Sequence, residues 1–171
     1  MVAIDAPPFV DGLGEPSIRP YASEDHKWAC ELLDSVGGRF RVRRGRVIDT
    51  AVLAGLVGMR DGHRNTLVTI TRHRRDFELS VIASNPFDPE LVQLVIRAAL
   101  QYRQPGASRA YAICSNAQFG IQRALQNADF RLCATRPGAM EAVGRRSPHP
   151  LDSHFGGLPV RDEIEFDFLI R

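Results

Sequence analysis

Lysine is almost absent from this sequence, because Lys27 is the only lysine among 22 lysine and arginine residues. Arginine therefore carries nearly all of the positive charge, which 20 acidic residues offset to a net charge of +2. A balance so close to neutrality argues against the strongly basic surface that nucleic-acid-binding proteins use. We therefore expect no nucleic-acid partner.

Cysteine and long apolar runs are also scarce. Cys30, Cys114 and Cys133 lie far apart without a CxxC pair, which predicts reduced thiols rather than a disulfide framework or a zinc site. The five histidines show no ligand spacing, so we expect no metal. No apolar run approaches the roughly 20 residues of a membrane helix, and the N-terminus lacks the features of a secretion signal. These absences predict a cytoplasmic protein with no membrane partner.

The remaining composition is typical of one globular domain. Hydrophobic residues make up 44% and charged residues 25% of the 171 residues, which is enough for one core. The segment from Met1 to Ser17 contains three prolines and two glycines but no apolar period, so we expect a flexible leader there. The folded domain is expected to run from Ile18 to Arg171.

Helical and extended patterns follow one another along this domain. A short strand at 18–21 and a helix ended by Gly37-Gly38 come first, and Trp28, Leu32 and Val36 share one face of that helix. The later predicted strands are 51–59, 67–71, 77–83, 110–114, 130–134 and 164–170, with the turn Asp61-Gly62 after the first. Further helices are predicted over 91–99 and 116–127. This order predicts an α/β protein whose central sheet has mixed strand pairing.

Five arginines lie close together between the first helix and the second strand. They are Arg39, Arg41, Arg43, Arg44 and Arg46. Two interpretations stay open: a solvated connector, which is the usual role of such a run, or a contact with an anion or an acidic partner.

Several motifs, in this order along the chain, resemble a bacterial branch of the GNAT superfamily of N-acetyltransferases. They are Arg43-Arg44-Gly45-Arg46-Val47, Gly55-Leu56-Val57 with Asp61-Gly62, Ser115-Asn116, Arg136-Pro137-Gly138-Ala139 and the segment from Leu158 to Glu165. The resemblance covers the chain from about Ile18 to its end. It implies the GNAT fold, with a mixed, mostly antiparallel central sheet of six to seven strands flanked by helices.

The resemblance also implies a reaction and a site. Acetyl-CoA or another acyl-CoA would lie where the fourth and fifth strands splay apart, with Val81, Ile82, Ala83 and Asn116 as donor-binding residues. The acceptor would be an amine on a small molecule or a peptide, and a homodimer is left open. The catalytic candidates are Glu78, Ser115 and Asn116. Glu78 matches a general base, although a solvent-facing strand residue is an equally good interpretation of its position.

The turn that should hold the coenzyme diphosphate departs from the family pattern. Family members carry a glycine-rich loop at the start of the following helix, where backbone amides and the helix N-terminus bind phosphate. Here the segment from Asn85 to Leu91 has no glycine, two prolines that lack an N–H, and the carboxylates of Asp88 and Glu90. We therefore predict that it repels a diphosphate, and that Asp88 and Pro89 instead begin the helix.

The position of the family's general acid differs as well. Leu125 stands where the resemblance implies a tyrosine that protonates the leaving thiolate, and leucine cannot donate a proton. Tyr102 and Tyr111 lie elsewhere and are expected to be packing residues. Three functions follow: a divergent acyltransferase, a catalytically inactive binding or partner subunit, and a repurposed enzyme independent of CoA with Cys114 or Ser115 near Glu78.

Overall fold

The computed structural model describes residues 14–43, 46–144, 154, 155 and 157–170. Its strands are β1 (Pro16–Pro20), β2 (Phe40–Arg43), β3 (Arg46–Asp49), β4 (Gly55–Arg60), β5 (His63–Arg72), β6 (Asp76–Ser84), β7 (Arg109–Ser115), β8 (Arg131–Arg136), β9 (His154–Phe155), β10 (Leu158–Pro159) and β11 (Glu163–Leu169). Its helices are α1 (His26–Ser35), α2 (Pro89–Ala99), α3 (Phe119–Asn127) and α4 (Ala139–Gly144).

Seven strands form the central sheet, in the order β1-β4-β5-β6-β7-β11-β8. Every neighbouring pair is antiparallel except β6 and β7, which run parallel and are connected through α2. The predicted mixed, mostly antiparallel sheet of six to seven strands flanked by helices is therefore confirmed. The predicted hairpin turn is confirmed too, because Asp61 and Gly62 both have a positive φ between β4 and β5.

Two hydrophobic clusters lie on opposite faces of this sheet. The larger one packs α2 and α3 against residues such as Phe77, Leu79 and Phe166. The smaller one packs α1 against the other face through Leu33, Val57 and other buried side chains. Because successive side chains of a strand point to opposite faces, neighbouring residues of β6 contribute to different clusters.

The start of α2 follows from its sequence. The Asp88 carboxylate accepts a hydrogen bond from the Leu91 amide at 2.9 Å, and Pro89 occupies the first helical turn. These are the predicted N-cap and N1 roles, and both are confirmed. Val92, Val95 and Ile96 then bury the helix against the sheet.

Several element boundaries differ from the predictions. The strand predicted over 51–59 begins only at Gly55, because Thr50–Val52 forms a 3-10 turn that the Asp49 carboxylate caps. Helix α3 begins at Phe119 rather than Asn116, and Val36 follows the last residue of α1. Strand β1 already includes Pro16 and Ser17 of the predicted leader, whose residues 1–13 lie outside the described part of the chain.

The arginine-rich segment contains two strands that the sequence did not predict. Its described residues form the antiparallel hairpin of β2 and β3, in which Arg41 lies opposite Ile48. Arg44 falls outside the described residues. The alternation of arginine with Phe40 and Val42 gives this segment the period of a strand.

No helix in the described part of the chain is both long and apolar enough to cross a bilayer.

Candidate functional site

The parallel strands β6 and β7 pair over only part of their length. Four rungs join them, from Asp76 opposite Arg109 to Leu79 opposite Ala112, and among the described residues β6 pairs only with β5 beyond that point. Ser80 is the extra residue of a β-bulge, because Leu79 and Val81 lie opposite consecutive residues of β5. The sheet therefore opens next to the bulge. Beyond Leu79, β6 pairs only with β5 among the described residues, whereas on β7 the Ile113 carbonyl and the Ser115 amide already have side-chain partners.

A cavity of about 250 Å³ lies next to this opening, between the end of β6 and the start of α3. It is lined by Val36, Ile82, Ala83, Ser84, Phe87, Ala117, Gln118, Phe119, Gly120, Ile121 and Phe155. Phe87, Phe119 and Phe155 are each at least 40% exposed, so they form an aromatic rim around it. Of the predicted donor-binding residues, Ile82 and Ala83 line the cavity, whereas Val81 belongs to the core under α1.

Glu78 lies on the last rung but one before the strands part, and it is 4% exposed. Its Oε2 accepts hydrogen bonds from the Tyr111 hydroxyl at 2.9 Å and from His73 Nε2 at 3.2 Å. The expectation of a solvent-facing strand residue is therefore wrong. Tyr111 is not merely a packing residue either, because it fixes the orientation of this carboxylate.

An ionic network continues from Tyr111 across the same face of the sheet. The Arg109 guanidinium lies 4.7 Å from the centre of the Tyr111 ring and donates to Glu165 Oε1 at 2.6 Å. The other oxygen of Glu165 accepts from Arg136. Burial alone would raise the pKa of Glu165, but the bonds from Arg136 and Arg109 outweigh it and hold the pKa below its ordinary value.

Ser115 and Asn116 lie at the end of β7. The Asn116 carboxamide donates to the Pro159 carbonyl at 3.0 Å and accepts from the amides of Arg161 and Asp162. Asn116 thus fastens the segment before β11 to the end of β7. Ser115 is buried, and its amide donates to the Gln118 side chain at 2.9 Å. The catalytic and donor-binding roles of these two residues stay predictions.

The turn from Asn85 to Leu91 already uses most of its amides. Asn85 donates to the Asn65 carbonyl, Asp88 to the Ser84 hydroxyl and Leu91 to the Asp88 carboxylate. Residues 86 and 89 are prolines. Of the five amides of this turn, those of Phe87 and Glu90 have no hydrogen-bond partner among the described residues. This turn does not fit a diphosphate, which needs several convergent amides.

Arg60 of β4 holds the two carboxylates of this turn. Its Nη2 lies 2.8 Å from Asp88 and 3.1 Å from Glu90, its Nε donates to Asp88, and its Nη1 donates to the Gly14 carbonyl. Burial lowers the pKa of Arg60, but the hydrogen bonds that it donates to Asp88 and Glu90 and the charges of these carboxylates outweigh burial and raise the pKa above its ordinary value. Two carboxylates against one guanidinium leave the turn with a net negative charge.

Two other side chains have environments that limit their chemistry. Leu125, which the resemblance places at the general acid, is fully buried in the larger core and offers only hydrocarbon. Burial raises the pKa of Cys114 to about 12, against a smaller opposing effect of Arg41. Cys114 is therefore a neutral thiol at physiological pH, which argues against its use as a nucleophile.

Arg41 reaches from the β2–β3 hairpin to the opening. Its Nη1 donates to the Ile113 carbonyl of β7 at 3.3 Å, and its side chain lines a small space beside Cys114 and Gln118. Arg41, one of the five arginines, thus lies beside the point where β6 and β7 separate. Neither a solvated connector nor a contact with an anion or an acidic partner specified this position.

One group of side chains has the composition of a metal site. Potential ligand atoms of Cys133, Glu165 and Asp167 lie within 4.8 Å of one another. Both oxygens of Glu165, however, already accept hydrogen bonds from arginines. A cation would have to displace those arginines, so this group fits an ionic network better than a metal.

Sequence reasoning missed His73 and Tyr111 as neighbours of Glu78. His73 follows β5 and Tyr111 lies on β7, 33 residues after Glu78. Only the parallel pairing of β6 with β7 brings the glutamate and the tyrosine together. No spacing in the sequence signals that contact.

Comparison of the chain with known proteins gives matches in structure only. No protein-family model and no curated protein matches the sequence. An N-acetyltransferase from Staphylococcus aureus Mu50 is similar with a TM-score of 0.63 at 10% identity, over 91% of this chain and 98% of that one. A GNAT family acetyltransferase from Elizabethkingia anophelis with acetyl-CoA bound is similar with a TM-score of 0.58 at 14% identity, over 91% of this chain and 98% of that one.

An enzyme with a named acceptor shares this architecture. The ribosomal-protein-S18-alanine N-acetyltransferase from Escherichia coli is similar with a TM-score of 0.60 at 10% identity, over 91% of this chain and 94% of that one. Identities this low establish a common fold and no more. The chain therefore has the fold of the GNAT acetyltransferases.

Proposed function

We propose that this chain transfers an acyl group from a thioester to an amine at the opening between β6 and β7. The single observation that carries the proposal is the buried Glu78 carboxylate, which Tyr111 and His73 orient next to the point where the strands part. Solved structures with the same fold include acetyltransferases with acetyl-CoA or CoA bound.

The proposed chemistry is one nucleophilic substitution. The amine nitrogen attacks the thioester carbonyl carbon, so a C–N bond forms and the C–S bond breaks. The amine loses a proton to Glu78, and the departing thiolate takes up one proton, which leaves the total unchanged. His73 is 47% exposed, so it connects Glu78 to solvent and gives the proton a way out.

Departure of the thiolate receives little help from this chain. Leu125 cannot donate a proton, and a positioned acid is usually worth about 10²–10⁴-fold in rate. An alkyl thiol has a pKa near 8.5, so its anion can still leave without such an acid. We therefore expect slow turnover rather than none.

The proposal is tested by Glu78→Gln. The variant should lower kcat/KM for acyl transfer about 100-fold or more, because the amide cannot accept the proton of the amine. Thiol release and acylated product would be measured with a panel of amines and acetyl thioesters. Glu31→Gln on the exposed face of α1 is the matched control and should retain full activity.

Two outcomes would contradict this function. One is a wild-type protein that acylates no amine in the panel, and the other is a Glu78→Gln variant as active as the wild type. Circular dichroism and a thermal melt of the variant show whether its fold is intact.

A second candidate is a binding protein without catalysis. The proline-containing turn and the buried Leu125 favour it, because two features that would serve a CoA-dependent enzyme are lacking together. Ligand binding without turnover, unchanged in Glu78→Gln, would be its signature.

A further inference from the structure

We propose that the acyl donor is the thioester of a short thiol without a nucleotide, held in the cavity between the end of β6 and the start of α3. This inference rests on the proposed function and concerns the same site. It differs from the implied use of acyl-CoA, whose nucleotide would have to lie near the turn from Asn85 to Leu91.

The turn is committed to the fold. Its Asp88 caps α2, and Asp88 and Glu90 both bind Arg60, which in turn holds the Gly14 carbonyl. Arg60 is already engaged within the chain, because each of its three nitrogens donates to an oxygen of Asp88, Gly14 or Glu90. A diphosphate placed here would meet two carboxylates and only two uncommitted amides.

The Phe87 side chain occupies the space between this turn and α3. A methyl group added at Gly120 would lie 2.6–3.2 Å from atoms of the Phe87 ring, which shows how closely the ring lies over the first turn of α3. The Phe87 ring therefore covers the backbone at the start of α3. An aromatic surface favours apolar and amide groups over phosphate.

The size of the cavity suits the short thiol chain of such a donor. Its 250 Å³ is below the roughly 300–1,000 Å³ of sites that enclose drug-sized ligands. Its lining is mostly apolar, and beyond Leu79 the unpaired side of β6 leaves backbone groups that can pair with an amide-containing arm. The ligand that matches is a small thioester with an amide in its chain.

The test compares two donors on the wild-type protein, acetyl-CoA and S-acetylpantetheine. We expect kcat/KM for the two to agree within about threefold, because the nucleotide makes no net favourable contact. A preference for acetyl-CoA of 100-fold or more would overturn the inference while leaving the proposed function standing. Absence of transfer from both donors would instead contradict the proposed function.

Calorimetric titration tests the same inference without turnover. Pantetheine and CoA should bind with dissociation constants within about threefold, and 3′,5′-ADP should not compete with pantetheine. Tight binding of CoA with no binding of pantetheine would overturn the inference.

A substitution in the turn adds a third measurement. Glu90→Gln removes a negative charge and one partner of Arg60, so it should raise the affinity for CoA at least threefold and leave that for pantetheine unchanged. Glu31→Gln should change neither affinity. A Glu90→Gln protein that binds CoA more weakly than the wild type would contradict the proposed repulsion.

Discussion

Among single residues, Asp25 shows most clearly how charge is used in this fold. Asp25 lies directly before α1 and is fully buried, and both oxygens of its carboxylate accept hydrogen bonds. Arg19 holds them at 2.6 Å in a two-pronged contact, Arg64 lies at 2.8 Å, and the Ala22 amide donates at 3.0 Å. Buried charge of this kind is tolerated only when such partners are present.

The pH dependence of stability follows from the same contacts. The hydrogen bonds from Arg19 have the largest effect on the pKa of Asp25 and lower it. Burial would raise this pKa, but the Arg19 bonds and the weaker hydrogen bond from the Ala22 amide together keep it below its ordinary value. A carboxyl whose pKa is lower in the folded state stabilises the protein above its unfolded pKa of about 3.9. That contribution is lost as the pH falls through the folded pKa.

Asp25→Asn should therefore reduce the free energy of unfolding at pH 7 by about 2–3 kcal/mol, because it removes the charge that both arginines bind. The difference from the wild type should shrink below about pH 4 as the wild-type carboxyl takes up its proton. Urea unfolding between pH 7 and pH 2 measures this, with the exposed neighbour in Glu24→Gln as the control. A difference that stays constant down to pH 2 would contradict the account.

At the scale of elements, the packing of α2 on the sheet depends on a glycine in β4. A Cβ at Gly58 would lie 2.5 Å from Val95 Cγ2, 3.1 Å from Leu91 Cγ and 3.2 Å from Thr66 Cβ. Helix α2, which starts in the turn from Asn85 to Leu91, thus approaches β4 very closely. Arg60, two residues further along the same strand, ties the beginning of that helix to the sheet.

Gly58→Ala should destabilise the protein by about 1–3 kcal/mol, because the methyl group overfills a packed contact between helix and strand. Gly38→Ala is the matched control, since its Cβ would meet neighbours only at 3.4 Å or more, and it should cost less than about 0.5 kcal/mol. Chemical unfolding of the three proteins gives the comparison. Equal stabilities for the two variants would show that the contact at Gly58 relaxes freely.

The sequence also predicted most elements, and the exceptions have physical causes. Periodicity identified α1, α2 and the strands of the sheet, since burial on one face leaves a pattern. It misplaced the start of β4, because Thr50–Val52 is β-branched at two of three positions yet forms a 3-10 turn capped by Asp49. The β2–β3 hairpin was not among the predicted strands, because its arginines were interpreted as a solvated connector or as a contact with an anion or an acidic partner.

For the molecule as a whole, the site divides into parts that the sequence could predict and parts that it could not. The order of the motifs indicated the fold, and the sequence of the turn indicated the N-cap Asp88 and the N1 Pro89 of α2, whereas rejection of a diphosphate there stays a prediction. The partners of Glu78 and the use of Arg60 by Asp88 and Glu90 were not predictable, because both depend on contacts between strands or loops far apart in sequence. Cys114 was a candidate only for the repurposed enzyme, and the rise that burial causes in its pKa argues against that role.

The proposed acyl transfer and its proposed donor both depend on where a thioester lies relative to the parted strands and to the turn from Asn85 to Leu91. A crystal structure of the protein with acetyl-CoA bound at high concentration measures this most directly. We predict density for the thiol arm in the cavity beside Ile82 and Ala83, with the acetyl group directed toward Glu78 and no diphosphate on the turn. A diphosphate resting on the amides of the segment from Asn85 to Leu91 would contradict the account.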